Sequence, residues 1–196
     1  MSPNDKAIVI VSSVCGNTYL VAREFVDAIQ KKGADVTFRR VEHTDFDELA
    51  RDFPVASEYY EQIMSIPVVE PEDLLENDLV ILGTPTYFGN MSGEMKRFLD
   101  RTSIFYREGT LAGKHFMVFT SSGTSEGGAH LCLQTLITFG MQIGMIPIPI
   151  PPPLCISHDL YAFGLTHYSG EMGDKRPTQK SFEALSLWLD WFFSLR

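Results

Sequence analysis

The sequence predicts an α/β fold: a doubly wound parallel sheet of five strands in the order 2-1-3-4-5, with helices on both faces. Three observations lead to it. Apolar runs rich in β-branched residues alternate with segments whose apolar residues repeat at helical spacing. Strands separated by helices imply right-handed crossovers and therefore parallel pairing. Finally, 196 residues suffice for one sizeable core, so we expect a single domain over residues 1–196.

Five segments are predicted as strands. Residues 6–12 (KAIVIVS) form a continuous apolar run, which is typical of a strand buried on both faces. Residues 34–41 alternate Val36 and Phe38 with polar neighbours, a weaker pattern that suits a border strand. The last candidate contains Pro147 and Pro149, which would leave one edge unable to pair, so it should form the other border. The other two candidates are residues 79–82 and 115–120, and the last candidate, with the prolines, is residues 145–150.

The segments between the strands are predicted as helices. In residues 17–32 the apolar positions fall at i, i+3, i+4 and i+7, and Gly33 stands where a C-cap belongs. Another helix begins at a capping residue, Asn90 or Ser92. The acidic stretch 42–77 is irregular apart from two short helical fragments. The other predicted helical segments are residues 46–52, 71–76, 129–139 and 181–195.

Composition excludes several classes of function. A net charge of −9 and a pI near 5.0 oppose binding to nucleic acid, which requires a basic surface. No apolar run approaches the roughly twenty residues of a membrane span, and the polar N-terminus lacks the features of a signal peptide. We therefore expect a cytoplasmic protein without membrane insertion. The three cysteines and five histidines show no metal-ligand spacing, so no metal site is predicted.

In such a sheet, ligands bind at the carboxyl ends of the strands. The loop after the first strand, residues 13–18 (SVCGNT), combines hydroxyls, a glycine and a helix N-terminus, which together favour a phosphate group. It has neither the Gly-Lys of a P-loop nor a Gly-x-Gly-x-x-Gly pattern, so a monoester phosphate held by amides and hydroxyls is the better match. The alternative is a plain turn with a good N-cap.

The loops after the third and fourth strands suit a flat ring with a polar edge. Residues 83–90 (GTPTYFGN) place Tyr87 and Phe88 at the crevice, although both aromatics would more ordinarily be core residues. Residues 121–128 (SSGTSEGG) supply hydroxyls and glycines whose backbone amides can approach a ligand, unless the segment is only a mobile surface loop.

Four segments carry a family resemblance. GTPTYFGNMSGEMKRFLDRT, FTSSGTSEGG and FGMQIGMIPI resemble signature stretches of the WrbA-type NAD(P)H:quinone oxidoreductases, and GEMGDKRPTQKSFEAL resembles their C-terminal segment. The resemblance spans most of the chain except residues 42–77. It implies a flavodoxin-like domain that binds flavin mononucleotide (FMN) and uses NAD(P)H as a transient co-substrate.

The resemblance also implies the residues of the flavin site. The phosphate would be held by Ser13, Val14, Cys15, Gly16, Asn17 and Thr18. One side of the isoalloxazine would be lined by Pro85, Thr86, Tyr87, Phe88, Gly89 and Asn90, and the other by Ser121, Ser122, Gly123, Thr124, Ser125, Glu126, Gly127 and Gly128. No side chain need be catalytic, because flavin N5 does the chemistry.

The chain departs from the family on the substrate side of this site. Tyr87 stands where members commonly have arginine, and Glu126 where they often have histidine. Phe139 replaces a histidine that reaches the flavin from a neighbouring subunit, and Tyr106 replaces a tryptophan at the mouth of the site. Tyr87, Tyr106 and Phe139 are accordingly the expected substrate mouth. The resemblance further implies a homodimer or homotetramer.

Three functional hypotheses follow. The first is an FMN-dependent oxidoreductase that transfers reducing equivalents from NAD(P)H to a quinone or similar acceptor. The second is a flavodoxin-type electron carrier without a small-molecule substrate. The third is a flavin-free interaction module on the same scaffold.

Overall fold

The computed structural model describes residues 6–44 and 46–195, and a parallel sheet in the predicted order forms its centre. β1 (Lys6–Val11) lies between β2 (Asp35–Arg40) and β3 (Leu79–Pro85), and β4 (His115–Ser122) follows β3. The sheet order and the border position of β2 are thus confirmed. The register sets Val11 opposite Gly83 and Pro85 opposite Ser121, so the loops after β1, β3 and β4 open at the same edge of the sheet.

The last strand position is divided between two segments. The predicted strand 145–150 is wrong in extent, since only β5 (Ile146–Pro147) pairs with β4 there. The amide of Ile150 donates instead to the carbonyl of Ala162 at 2.9 Å, and the chain leaves the sheet through α6 (Pro152–His158). It returns as β6 (Leu165–Tyr168), which pairs with the carboxyl half of β4. Prolines without N–H groups explain why continuous pairing stops.

Helices cover both faces of the sheet, as predicted. α1 (Asn17–Lys31) and α7 (Gln179–Ser194) pack on one face with Val9, while α4 (Gly93–Arg101) and α5 (Ala129–Gln142) pack on the other with Ile8 and Ile10. This division follows from the strand, in which successive side chains point to opposite faces. In the described part of the chain, no helix is long and apolar enough to cross a bilayer.

The acidic stretch folds as short helices, one of which packs against the loop after β1. It contains α2 (Phe46–Asp52), α3 (Tyr60–Met64) and two 3₁₀ helices, Pro54–Tyr59 and Pro71–Leu74. The fragment predicted at residues 46–52 is confirmed, whereas the one at 71–76 is a shorter 3₁₀ turn. The 3₁₀ helix Pro54–Tyr59 ends against Gly16, where a Cβ would lie 2.4 Å from a Tyr59 ring atom.

Candidate functional site

The loop between β1 and α1 presents a row of free amides. Gly16, with φ 87°, adopts the left-handed conformation immediately before the helix, which glycine does without strain. The N–H of Tyr19 donates to Ser13 Oγ at 3.2 Å. Among the residues that the structure describes, the backbone N–H groups of residues 13–18 find no protein acceptor. Free amides at a helix N-terminus favour a bound anion.

The loop after β3 closes as a tight hairpin turn. Tyr87 and Asn90 exchange two backbone hydrogen bonds of 2.9 Å, around Phe88 (φ 50°) and Gly89 (φ 77°). A positive φ is uncommon for a bulky side chain such as phenylalanine. The Phe88 ring is fully exposed and Tyr87 is half-buried, so the alternative of two core aromatics is wrong for Phe88.

The loop after β4 lies directly on this hairpin. β4 extends through Ser122, so the loop proper begins at Gly123, two residues later than predicted. Gly128 has φ 81°, and a Cβ there would lie 2.6 Å from Gly89 Cα. The N–H of Thr86 donates to Ser121 O at 2.7 Å. The two loops are therefore held in backbone contact.

Buried hydroxyls connect the first loop to the other two. Thr18 Oγ1 and Ser121 Oγ share a hydrogen bond of 2.7 Å. Ser12 Oγ and Ser92 Oγ share another of 2.8 Å, and Ser92, which proves to be the N-cap of α4, also accepts from the N–H of Met95 at 3.2 Å. Hydrogen-bonded buried polar groups fix one arrangement of the three loops.

Three cavities include residues of these loops in their lining. The phosphate-loop cavity, about 210 Å³, takes its lining from all three predicted segments: Ser13, Val14, Cys15, Asn17, Thr18, Pro85, Thr86, Tyr87, Ser121 and Gly123. The glycine-loop cavity, about 490 Å³, includes Thr86, Phe88, Gly89, Ser122, Gly123, Thr124, Glu126, Gly127 and Gly128. The turn cavity, about 530 Å³, includes Gly123, Thr124 and Ser125.

The phosphate-loop cavity has no cationic side chain in its described lining. Its one charged group is the carboxylate of Glu171, in the part of the lining contributed by residues 169–173. Burial raises the pKa of the Cys15 thiol, and the nearby Arg176 guanidinium only partly opposes this effect. Cys15 is therefore a neutral thiol at pH 7, and its backbone is the part available to an anion.

Comparison with known proteins identifies the family. Residues 6–152 match the family model described as NADPH-dependent FMN reductase. The chain belongs to the NADPH-dependent FMN reductase family. It is 33% identical over 168 residues to an NAD(P)H dehydrogenase (quinone) of Archaeoglobus fulgidus, covering 86% of each chain. It is 30% identical to a protein of the same name from Geotalea daltonii, covering 91% of this chain and 90% of the other.

Solved structures place this FMN reductase family member in the flavodoxin fold. Oxidised flavodoxin 1 from Bacillus cereus superposes with a TM-score of 0.65 at 18% identity, covering 98% of this chain and 100% of the other. A WrbA-like flavodoxin from Agrobacterium tumefaciens gives 0.53 at 19% identity, covering 94% and 92%. The resemblance in the signature segments is thereby confirmed for fold and family.

The geometry fits the cofactor that this family name implies. A phosphate dianion matches the free amides of residues 13–18, and the Ser13 and Thr18 hydroxyls line the same cavity. Thr86 and Gly123 line both this cavity and the glycine-loop cavity, so a ligand with a phosphate tail and a flat ring can extend from one to the other. Among the described lining residues, Glu171 carries the one charge that disfavours an anion, and this residue is exposed to solvent.

Sequence reasoning missed Arg176, which forms hydrogen bonds to the first loop. Its Nη1 donates to Cys15 O at 2.6 Å and lies 3.3 Å from Asn17 Oδ1, while Nη2 pairs with Glu58. Its guanidinium also stacks over Tyr59, with Cζ 5.1 Å from the ring centroid. Arg176 lies within the C-terminal segment noted for its family resemblance, and that was the only signal that could have revealed it.

Four predicted site residues line none of the three cavities. Gly16 packs under Tyr59, and Asn90 closes the hairpin turn. Tyr106 is 63% exposed in the turn after α4. Phe139 packs against Phe116 at the opposite end of β4, with ring centroids 6.4 Å apart. The role implied for Phe139 lies in a neighbouring subunit, so it stays a prediction.

Proposed function

We propose that this chain transfers reducing equivalents from NAD(P)H, through bound FMN, to a quinone or similar acceptor. The carrying observation is the row of free amides at residues 13–18, beside a cavity formed by two glycine-containing loops in backbone contact. Membership of the NADPH-dependent FMN reductase family and the names of the relatives support the choice of donor and acceptor.

In this proposal the chain binds and orients, while the cofactor supplies the redox chemistry. The amides of residues 13–18 hold the phosphate, with the Ser13 and Thr18 hydroxyls beside them. Residues 85–90 and 121–128 line the two sides of the ring, and the exposed Phe88 is part of the lining of the glycine-loop cavity. The apolar surface of Phe88 would exclude water from the bound ring.

We further propose that the protein works in the cytoplasm as a homodimer or homotetramer, in which Phe139 reaches the site of a neighbouring copy and Tyr106 lies at the mouth of the site. The exposure of Tyr106, Leu131 and Met141 in the single chain supports such contacts.

The test measures NAD(P)H oxidation with a benzoquinone, using protein stripped of FMN and then reloaded. We expect steady turnover that disappears on stripping and returns with FMN. Complete absence of turnover with both NADH and NADPH, in protein that has rebound FMN, would contradict the proposal.

The net charge of −9 favours a second candidate, an electron carrier that docks basic redox partners. Photoreduction of the FMN-loaded chain separates the two candidates. A carrier should accumulate a stable one-electron form in the absorbance spectrum, whereas an oxidoreductase that exchanges hydride should pass directly to the two-electron form.

A further inference from the structure

A fourth cavity, the basic pocket, is distinct from the three cavities described above. It encloses about 420 Å³ among α1, α6, β6 and α7. Its floor is apolar and is formed by Val21, Phe119, Leu165 and Ala184. A volume of this size is within the usual range for small-molecule sites, and the apolar floor suits a flat ring.

The rim of the basic pocket is positively charged. Lys175, Arg176 and Lys180 line it, against the single acid Asp159 among the described lining residues. Arg176 already forms a salt bridge with Glu58. Lys175 and Lys180, by contrast, form no ion pair with any acid in the described part of the chain. Two ammonium groups thus remain available to an anion on a chain whose net charge is negative.

The basic pocket and the flavin cavities each share lining residues with the turn cavity, whose lining also includes the carboxylates of Glu171 and Asp174. Tyr168 and Lys175 line both the basic pocket and the turn cavity, and Gly123 lines the turn cavity together with the other two. A ligand occupying this whole path must be long, with one ring at the flavin and a second ring carrying an anionic group at the far end. A nicotinamide dinucleotide phosphate has this chemistry.

We propose that the basic pocket binds the adenosine end of NADPH, with the purine on the apolar floor and the ribose 2′-phosphate at Lys175 and Lys180. This inference rests on the proposed function. A phosphate monoester carries nearly two negative charges at pH 7, which two ammonium groups match. NADH has a hydroxyl at the same position and would leave both lysines unpaired. The pocket therefore selects NADPH over NADH.

Binding of fragments tests the pocket without any redox reaction. Calorimetric titration should show adenosine 2′,5′-bisphosphate binding about tenfold or more tightly than adenosine 5′-monophosphate. Lys180→Ala and Lys175→Ala should each weaken the bisphosphate roughly tenfold. The matched control is Lys31→Ala, which removes the same charge from an exposed position at the end of α1 and should leave this affinity unchanged. In steady-state assays, Lys180→Ala should raise the KM for NADPH more than the KM for NADH.

Two results would overturn the inference, even in a chain that oxidises NADPH. One is equal affinity of the wild-type chain for the two fragments, a comparison that needs no variant. The other is a Lys180→Ala effect no larger than that of Lys31→Ala. Conversely, lysine-dependent binding of the bisphosphate by a chain that oxidises neither nicotinamide would support the pocket and contradict the proposed function.

Discussion

The variant Gly128→Ala tests whether the close contact between the loops after β3 and β4 shapes the flavin site. Gly128 has φ 81° and is the N-cap of α5, and its backbone packs directly against the backbone of Gly89 at the glycine-loop cavity. A methyl group at this position would lie 2.6 Å from Gly89 Cα and 3.2 Å from its nitrogen. Both atoms belong to the backbone, so no rotation of a side chain relieves the overlap.

The structure gives the size of the effect. A left-handed conformation costs a residue with a Cβ roughly 1–2 kcal/mol. Steric overlap in a packed region adds about 1–3 kcal/mol. Gly128→Ala should therefore lower the free energy of unfolding by about 2–5 kcal/mol. The remaining relief is to push the hairpin turn away, which widens the cavity and should weaken FMN roughly tenfold or more.

Gly33→Ala provides the control, because Gly33 has nearly the same φ, 78°, and a Cβ there meets nothing within 4 Å. It should cost only the conformational part, about 1–2 kcal/mol, and leave FMN affinity unchanged. Urea unfolding gives the stabilities, and quenching of flavin fluorescence gives the affinities. If both variants lost the same stability and Gly128→Ala bound FMN like the wild type, the close contact of the two loops would not be what shapes the site.

Three further predictions concern residues outside the lining of the flavin site. Arg176→Ala should lower the free energy of unfolding by about 1.5–3 kcal/mol and weaken FMN, because the carbonyl of Cys15 loses a charged donor; unchanged urea midpoint and FMN affinity would contradict this. Burial lowers the pKa of His167 below its ordinary 6.5, so the unfolded chain takes up a proton more readily and stability falls as pH drops through about 6.5. His167→Gln should flatten that fall between pH 7.5 and 5.5, and an undiminished slope in urea unfolding would argue against it. Gly93 is the exposed first residue of α4, and a Cβ there meets nothing within 4 Å. Gly93→Ala should therefore raise the free energy of unfolding by about 0.5–1 kcal/mol and raise the thermal midpoint with it. A lower midpoint would contradict this prediction.

Most of the fold could be predicted from the local pattern of apolar residues. The continuous apolar run in β1 and the helical spacing in α1 predict buried parallel strands with crossovers, and the weak pattern of β2 predicts a border. The split of the last strand could not be predicted in the same way. Prolines show where pairing must stop, but they do not show that the chain leaves through α6 and returns as β6.

The candidate site likewise has a part that the sequence could predict and a part that it could not. Its three loops follow strands whose carboxyl ends share one edge, so the sequence could predict their convergence. The contact of Arg176 with Cys15 joins residues 161 positions apart, and its partner Glu58 is 118 positions away. No local spacing encodes such contacts. The packing of Tyr59 on Gly16 is likewise set by the acidic stretch, which the sequence left irregular.

The central claim is that amides and hydroxyls of the first loop hold a phosphate attached to a flat ring. Titration of the flavin-free chain with FMN and with riboflavin, followed by flavin fluorescence, tests it most directly. We expect one FMN to bind per chain. Because riboflavin lacks only the phosphate, we expect its affinity to be weaker than that of FMN by about a hundredfold. Equal affinity for the two flavins, or no FMN binding, would contradict the claim.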